Sequence, residues 1–175
     1  TLLDGIIKNW LGSAYDLDAG GATMEEEIFL SLLMLLPTIT QANLDRLVYV
    51  LDPQTYITAL NMPSVKSLDV NSAATVESGV LMKIWGIDIH KTGFQQLATA
   101  NGKVNVSATS ANTKGRISLL RPDRMHIRWK RRMRTSTEYQ AKADVNEIVA
   151  HMRWGFAFQD MTGIAGAYNV KADLS

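Results

Sequence analysis

The last third of the chain carries the pattern that most restricts its fold. Met125, Ile127, Trp129 and Met133 alternate with His126, Arg128, Lys130, Arg132 and Arg134, a period of two that an extended strand satisfies and a helix does not. Ile148, Ala150, Met152, Trp154, Phe156 and Phe158 alternate in the same way, opposite Glu147, His151 and Arg153. The polar stretch between the two runs has no helix signal, so they are expected to pair as a long antiparallel hairpin. One strand then carries an unbroken polar, mostly basic face, and Trp129 falls by alternation on its apolar, core-facing side. Arg131 alone interrupts that apolar side, which marks a bulge or a place where the face meets solvent.

Local signals divide the rest of the chain. Apolar residues at 2, 3, 6, 7, 10 and 11 predict a short amphipathic helix, ended by Gly12 and followed by a loop through Gly20 and Gly21. Thr23 to Glu26 spells a capping box, with Thr23 as N-cap, and Glu25, Glu26 and Glu27 suit the positive end of a helix dipole. A functional acidic triad is the other reading of those carboxylates. The helix is expected to run to Leu36, stop at Pro37 and be buried nearly all round in its second half. Arg46 to Leu51 reads as a buried strand, and Asp52-Pro53 as an N-cap and N1 proline opening a helix to Leu60. Residues 63–80 read as loop with one short strand, Met82 to Ile89 as a strand, and 99–115 as a mobile loop or weak hairpin. Gly115 to Leu120 returns to strand, and Asp160 to Tyr168, small and apolar, reads as a closing helical turn. No internal repeat is present, which argues against a solenoid.

A length of 175 residues fits one ordinary domain or two small ones, and 46% hydrophobic with 20% charged residues is a globular composition. The formal net charge of +1 hides an imbalance. Up to Val80 ten acidic residues face three basic ones, a net of −7, and from Leu81 onward fifteen basic face seven acidic, a net of +8. Between Arg116 and Arg134 eight basic residues stand against Asp123 alone. Such asymmetry fits an anionic partner, copies of the chain that attract each other, or a solvated strand face.

Chemistry is sparse. The chain has no Cys, which removes disulfides, thiolate metal sites and cysteine nucleophiles together. His90, His126 and His151 are not at metal-ligand spacing, and no nucleotide, hydrolase or zinc-protease motif occurs. Asp16 and Asp18 begin like a calcium loop that the following residues do not continue. Asn105-Val106-Ser107 matches a glycosylation acceptor, which means little without secretion. No enzyme, cofactor or metal site is expected. The apolar run Ile28 to Leu36 is far shorter than the ~20 residues of a membrane helix. With no signal peptide and Thr1 in place of an initiator Met, the chain is expected to be a soluble intracellular product and part of something longer. The basic strand 124–134 remains, and Arg128, Lys130, Arg132 and Arg134 are its candidate partner-binding residues.

Several segments resemble, in order and spacing, the C-terminal portion of tailed-bacteriophage and prophage major capsid proteins. They are Asp4-Gly5-Ile6, Gly20-Gly21-Ala22-Thr23, Val48 to Tyr56, Arg121-Pro122-Asp123-Arg124, Ala143 to Ala150, Met152 to Gly155 and Ala167-Tyr168-Asn169-Val170. Gly86 to Ile89 sits where the family carries a G-x-P-[IV] strand, with Asp88 in place of the proline. The resemblance implies an α+β capsid-type Johnson (Hong Kong ninety-seven-like) fold. Residues 22–119 would form the axial domain, and 1–21 with 120–175 the part of the peripheral domain that carries the long hairpin. The family's N-terminal arm, extended loop and spine helix would lie upstream of Thr1.

The implied function is a structural subunit of an icosahedral shell, self-assembling into hexamers and pentamers around packaged double-stranded DNA. A scaffold and a maturation protease would be partners, and a membrane would not. Location would be the virion capsid, assembled in the bacterial cytoplasm. Arg128, Lys130, Arg132 and Arg134 would then face a neighbouring subunit or the DNA. The alternatives are an encapsulin-type compartment shell and a nucleic-acid-binding module.

Overall fold

A computed structural model of the chain describes residues 2–66, 83–140, 145–159 and 161–172. It divides into two compact units, Thr1–Asp123 with Asp160–Ser175, and Arg124–Gln159. The unit boundaries fall at 123/124 and 159/160. Residues 1–21 and 160–172 join the larger unit because they supply an edge strand and a central strand of its sheet.

In that unit α1 (Leu2–Trp10) leads to β1 (Asp16–Asp18), α2 (Glu26–Leu35), α3 (Thr38–Gln41), β2 (Val48–Leu51), α4 (Pro53–Leu60) and α5 (Pro63–Lys66). Then come β3 (Lys83–Ile84), β4 (Ile87–Lys91), β5 (Lys114–Leu120) and, after the second unit, β8 (Ile164–Lys171). The strands form one mixed sheet in the order β1-β8-β5-β2-β4-β3. The register aligns Ile89, Tyr49, Leu119 and Ala165 in one row, and Leu51, Ile117 and Ala167 in the next. This face packs against Ile28, Phe29, Leu32 and Leu33 of α2 and Tyr56 and Ala59 of α4, forming the main core. At its centre Tyr49 meets Phe29 edge-on at 5.0 Å and donates its hydroxyl to the Phe29 carbonyl at 2.9 Å.

The row His90, Val50, Ser118, Gly166 lies on the opposite face. There α1 sits with Trp10 fully buried, its indole N–H donating to Ser118 Oγ at 3.2 Å. A Cβ at Gly166 would come within 2.2 Å of the Trp10 ring, so only glycine admits the indole at that point. This close approach explains a correction. Of the closing helical turn expected over Asp160 to Tyr168, only a 3₁₀ turn at Met161–Gly163 is found among the described residues, and it leads into β8, which pairs on both sides in the sheet. Its residues are small because helices crowd both faces of the strand.

The Asp52-Pro53 signal is realised as read. Asp52, buried, accepts from Thr55 N–H at 2.9 Å and from the Thr55 hydroxyl, and α4 runs from Pro53 to Leu60. The capping box is not realised. Helix α2 starts two residues later than a Thr23 cap requires, with Glu25 at N-cap and no side-chain cap bond. Met24, buried in the core, holds the preceding segment outside the helix, although Glu26 and Glu27 still fall in the first turn. Nor is α2 buried all round, since Leu30 and Met34 are exposed.

Of the strand expected from Met82 to Ile89, the described residues 83–89 form a tight hairpin, not one strand. Trp85 (φ 52°) and Gly86 (φ 79°) both take left-handed backbone between β3 and β4, the two-residue turn that suits strand twist. Of the loop with one short strand expected over 63–80, residues 63–66 form α5 and 67–80 lie outside the described residues. The 99–115 stretch is a closed loop. Ala98 and Lys114 exchange backbone hydrogen bonds at its neck (2.8 and 2.9 Å), and Asn105 and Asn112 bond reciprocally across it.

The second unit is a two-stranded ribbon, β6 (Met125–Gln140) against β7 (Val145–Phe158), the antiparallel hairpin that alternation predicted.

Candidate assembly surface on the ribbon

The ribbon register is not uniform. Met125 to Trp129 pair with Phe158 to Trp154, then Arg131 pairs with Arg153, and Arg134 with His151. Each step carries one extra residue on β6, so two bulge-like irregularities lie between Trp129 and Arg134. Arg131 does mark a bulge. A bulge breaks strict alternation and re-aims the side chains beside it, so the expected unbroken basic face does not exist. Arg128 lies opposite Gly155 and Arg134 opposite His151, while Lys130 falls at the first irregularity.

Arg128, Lys130, Arg132 and Arg134 are all exposed. Among the described residues, the ribbon brings the first two together. Arg128, Trp129, Lys130, Arg153 and Gly155 line a concavity of about 530 Å³, and Lys130, His151, Met152 and Arg153 line a neighbouring one of about 330 Å³. Arg132 and Arg134 line neither. Arg153 and His151 are the residues that strand-by-strand reading missed; their signal was the matching alternation of β7, legible only once the register is known. Trp129 is 58% exposed and Met152 52%, which corrects the core placement of Trp129. The concavities therefore combine exposed cations with apolar surface, a chemistry suited to carboxylates or phosphates carried on a partly apolar partner.

Two basic residues of the 116–134 run have other tasks. Arg116 is buried, donating to the carbonyls of Gln96 and Gly102. Arg121 is buried and grips Asp123 through two bonds of 2.9 and 3.1 Å. Asp16 and Asp18 are also committed within the fold. Asp16 accepts from Gly12 N–H, and Asp18 from Gly20 N–H and the Asn169 amide, which hold its carboxyl below the usual range. No group of three or more potential metal ligands occurs among the described residues. Likewise, among the described residues, no helix is long and apolar enough to cross a membrane.

The architecture matches solved shell proteins. A chain from Mycobacterium phage Che8 aligns over 94% of this chain with a TM-score of 0.64 at 15% identity. A chain of the bacteriophage PhiM1 mature capsid aligns over 95% with a TM-score of 0.59 at 12% identity. The SrpI encapsulin of Synechococcus elongatus PCC 7942 aligns over 95% with a TM-score of 0.56 at 13% identity. This chain spans 55%, 58% and 56% of those three chains respectively. No protein-family model matches the sequence, and no curated protein matches it. The fold is thus that of capsid and encapsulin shell proteins, the α+β Johnson fold that the sequence resemblance implied.

Proposed function

We propose that the chain is a shell-forming structural subunit, and specifically the C-terminal portion of a tailed-phage or prophage major capsid protein that builds hexamers and pentamers. The observation that carries this reading is the likeness of 94–95% of the chain to shell proteins. The exposed basic and apolar concavities of the ribbon support it, since a shell subunit works through complementary surfaces and needs no reacting groups. On this reading the sheet unit takes the axial place and the ribbon the peripheral one. Double-stranded DNA is the enclosed cargo, a scaffold and a maturation protease act on the precursor, and assembly takes place in the bacterial cytoplasm.

The encapsulin reading shares every one of these surfaces and differs in what the shell holds. Expressing the full reading frame that encodes the chain, then imaging the product by negative-stain electron microscopy, tests the proposal. Closed particles are expected, and a product that stays monomeric at every concentration and salt overturns it. Nuclease-protected DNA in particles from the native source supports the phage reading, and protein cargo supports the compartment.

A further inference from the structure

Two patches of the sheet unit remain unassigned. The first is a stripe on α2 and α3. Glu27, Leu30 and Met34 are exposed at helical i, i+3, i+7 spacing, Ile39 of α3 is exposed as well, and Glu25 is exposed at the N-cap. Met34 is 80% exposed, the opposite of what a helix closed into its own core would show.

The second patch is a groove of about 370 Å³, walled by Ile7 of α1, by Leu11 just after it, and by Val104 and Val106 of the closed loop. Its charged lining consists of Lys8, Lys103 and Arg116, with no carboxylate among the lining residues described. Arg116 is fixed there by the carbonyls of Gln96 and Gly102. The loop is held close by Gly102, where a Cβ would meet Leu11 and Tyr168 at 2.8 and 3.0 Å.

One patch is acidic and apolar, the other basic and apolar, and they belong to opposite faces of one sheet. Helix α2 covers the face bearing Tyr49 and Leu119, while α1 covers the face bearing Ser118 and Gly166. Their lengths also agree, since α2 at ten residues and α1 at nine are about 15 and 14 Å long.

We infer that the α2 stripe of one copy docks in the α1 groove of a second copy, with Leu30 and Met34 entering the apolar walls and Glu25 and Glu27 meeting Lys8 and Lys103. This is a helix-in-groove contact. Because the two patches differ and lie on opposite faces, the contact is heterologous. It leaves a free stripe and a free groove at the ends of every dimer, so it propagates until a ring closes. The inference rests on the shell reading and names the surfaces by which subunits of one capsomer meet.

These 175 residues carry no cysteine, and any cysteine elsewhere in the full reading frame is first replaced by serine in the parent used for the test. Met34→Cys and Val104→Cys are introduced, singly and together, into the full reading frame, and the product is treated with a short bismaleimide. The double variant is expected to give a covalent ladder from dimer upward, and each single variant none. Particles that form normally but give no ladder overturn the inference and leave the shell reading intact. Cross-linking by the Met34→Cys variant alone also overturns it, because it means a two-fold contact of α2 with itself. A ladder without closed particles supports the inference and counts against the shell reading; neither ladder nor particles overturns both. A second measurement covers chemical trapping. Lys8→Glu with Lys103→Glu is expected to weaken association at least ~10-fold by sedimentation, with Glu25→Lys and Glu27→Lys restoring it. Unchanged association of the reversed variant overturns the pairing.

Discussion

Gly166→Ala should be among the most damaging single-methyl changes in the protein. The added Cβ would lie 2.2 Å from Cδ2 and Cε2 of Trp10 and 2.5 Å from Cε3. Ordinary carbon contacts begin near ~3.5 Å, so the indole must retreat by more than ~1 Å. It has no free direction to take, being fully buried and tied through its N–H to Ser118 Oγ. Overpacking of this kind costs ~1–3 kcal/mol, and loss of the buried bond adds ~1 kcal/mol. The expected destabilisation is therefore roughly 2–4 kcal/mol, a fall in Tm of about 5–15 °C for a chain of this size. Urea and thermal unfolding followed by far-ultraviolet circular dichroism measure it. Trp10→Phe supplies the control, because the smaller ring vacates the space that the methyl needs. The double variant should be more stable than the sum of the single losses by at least ~1 kcal/mol. A Gly166→Ala protein within ~0.5 kcal/mol of the parent would refute the account of why β8 is built from small residues.

Three further outcomes are expected. Tyr49→Phe removes the hydroxyl that bonds the Phe29 carbonyl and should cost ~1 kcal/mol at neutral pH. Burial pushes the Tyr49 phenol up in the folded state, so its contribution is intact below the ordinary value near 10 and is lost as pH rises beyond it. The phenylalanine variant should therefore show a shallower alkaline decline in urea melts. Asp18 behaves oppositely: the Gly20 N–H and then the Asn169 amide lower its carboxyl, so its stabilisation is present above the usual carboxylate range and is lost as acid protonates it. Asn169→Gly, which suits the left-handed φ of 58°, should move that acid decline to higher pH by a small amount, read from stability between about pH 2 and pH 5. Arg128→Glu with Lys130→Glu and Arg153→Glu should abolish particle formation if the ribbon meets another subunit; intact particles with lost, steeply salt-dependent DNA affinity would assign it to DNA.

What could be read from residues alone was local or strictly periodic. Asp52-Pro53 specifies its own cap within three residues, and the two long alternating runs admit only strands, so both were legible. The errors came where a distant residue decides. Gly166 and Ala167 look helical or loop-like until Trp10, more than 150 positions away, is seen to press on the strand. Thr23 has the chemistry of an N-cap, but burial of Met24 outweighs a bond worth ~1 kcal/mol. Three-residue β1 is defined by its parallel pairing to β8 and carries no periodic signal of its own. The ribbon cations were legible as a set, but their grouping was not, because the bulges change which neighbours share a face. Trp129 was assigned to a core on the assumption that an apolar strand face is always covered within its own chain.

That last assumption points to what stabilises the ribbon. A two-stranded hairpin is marginal in water by itself, and like charges placed directly opposite across strands weaken it further. Here Arg131 stands opposite Arg153, and Glu138 opposite Glu147. Trp129, Met133, Tyr139, Ile148 and Met152 are exposed along the same ribbon. A sequence selected only for the stability of a separate hairpin would alternate the charges and bury or remove the aromatic and thioether surface. Keeping both costs the ribbon stability, which on the proposed shell reading a neighbouring subunit of opposite charge and apolar surface would restore. The charge imbalance of the whole chain then has a narrower meaning than its net values. Arg116 and Arg121 are held by carbonyls and by Asp123 within the sheet unit, whereas Arg128, Lys130, Arg132 and Arg134 of the same run are exposed on the ribbon.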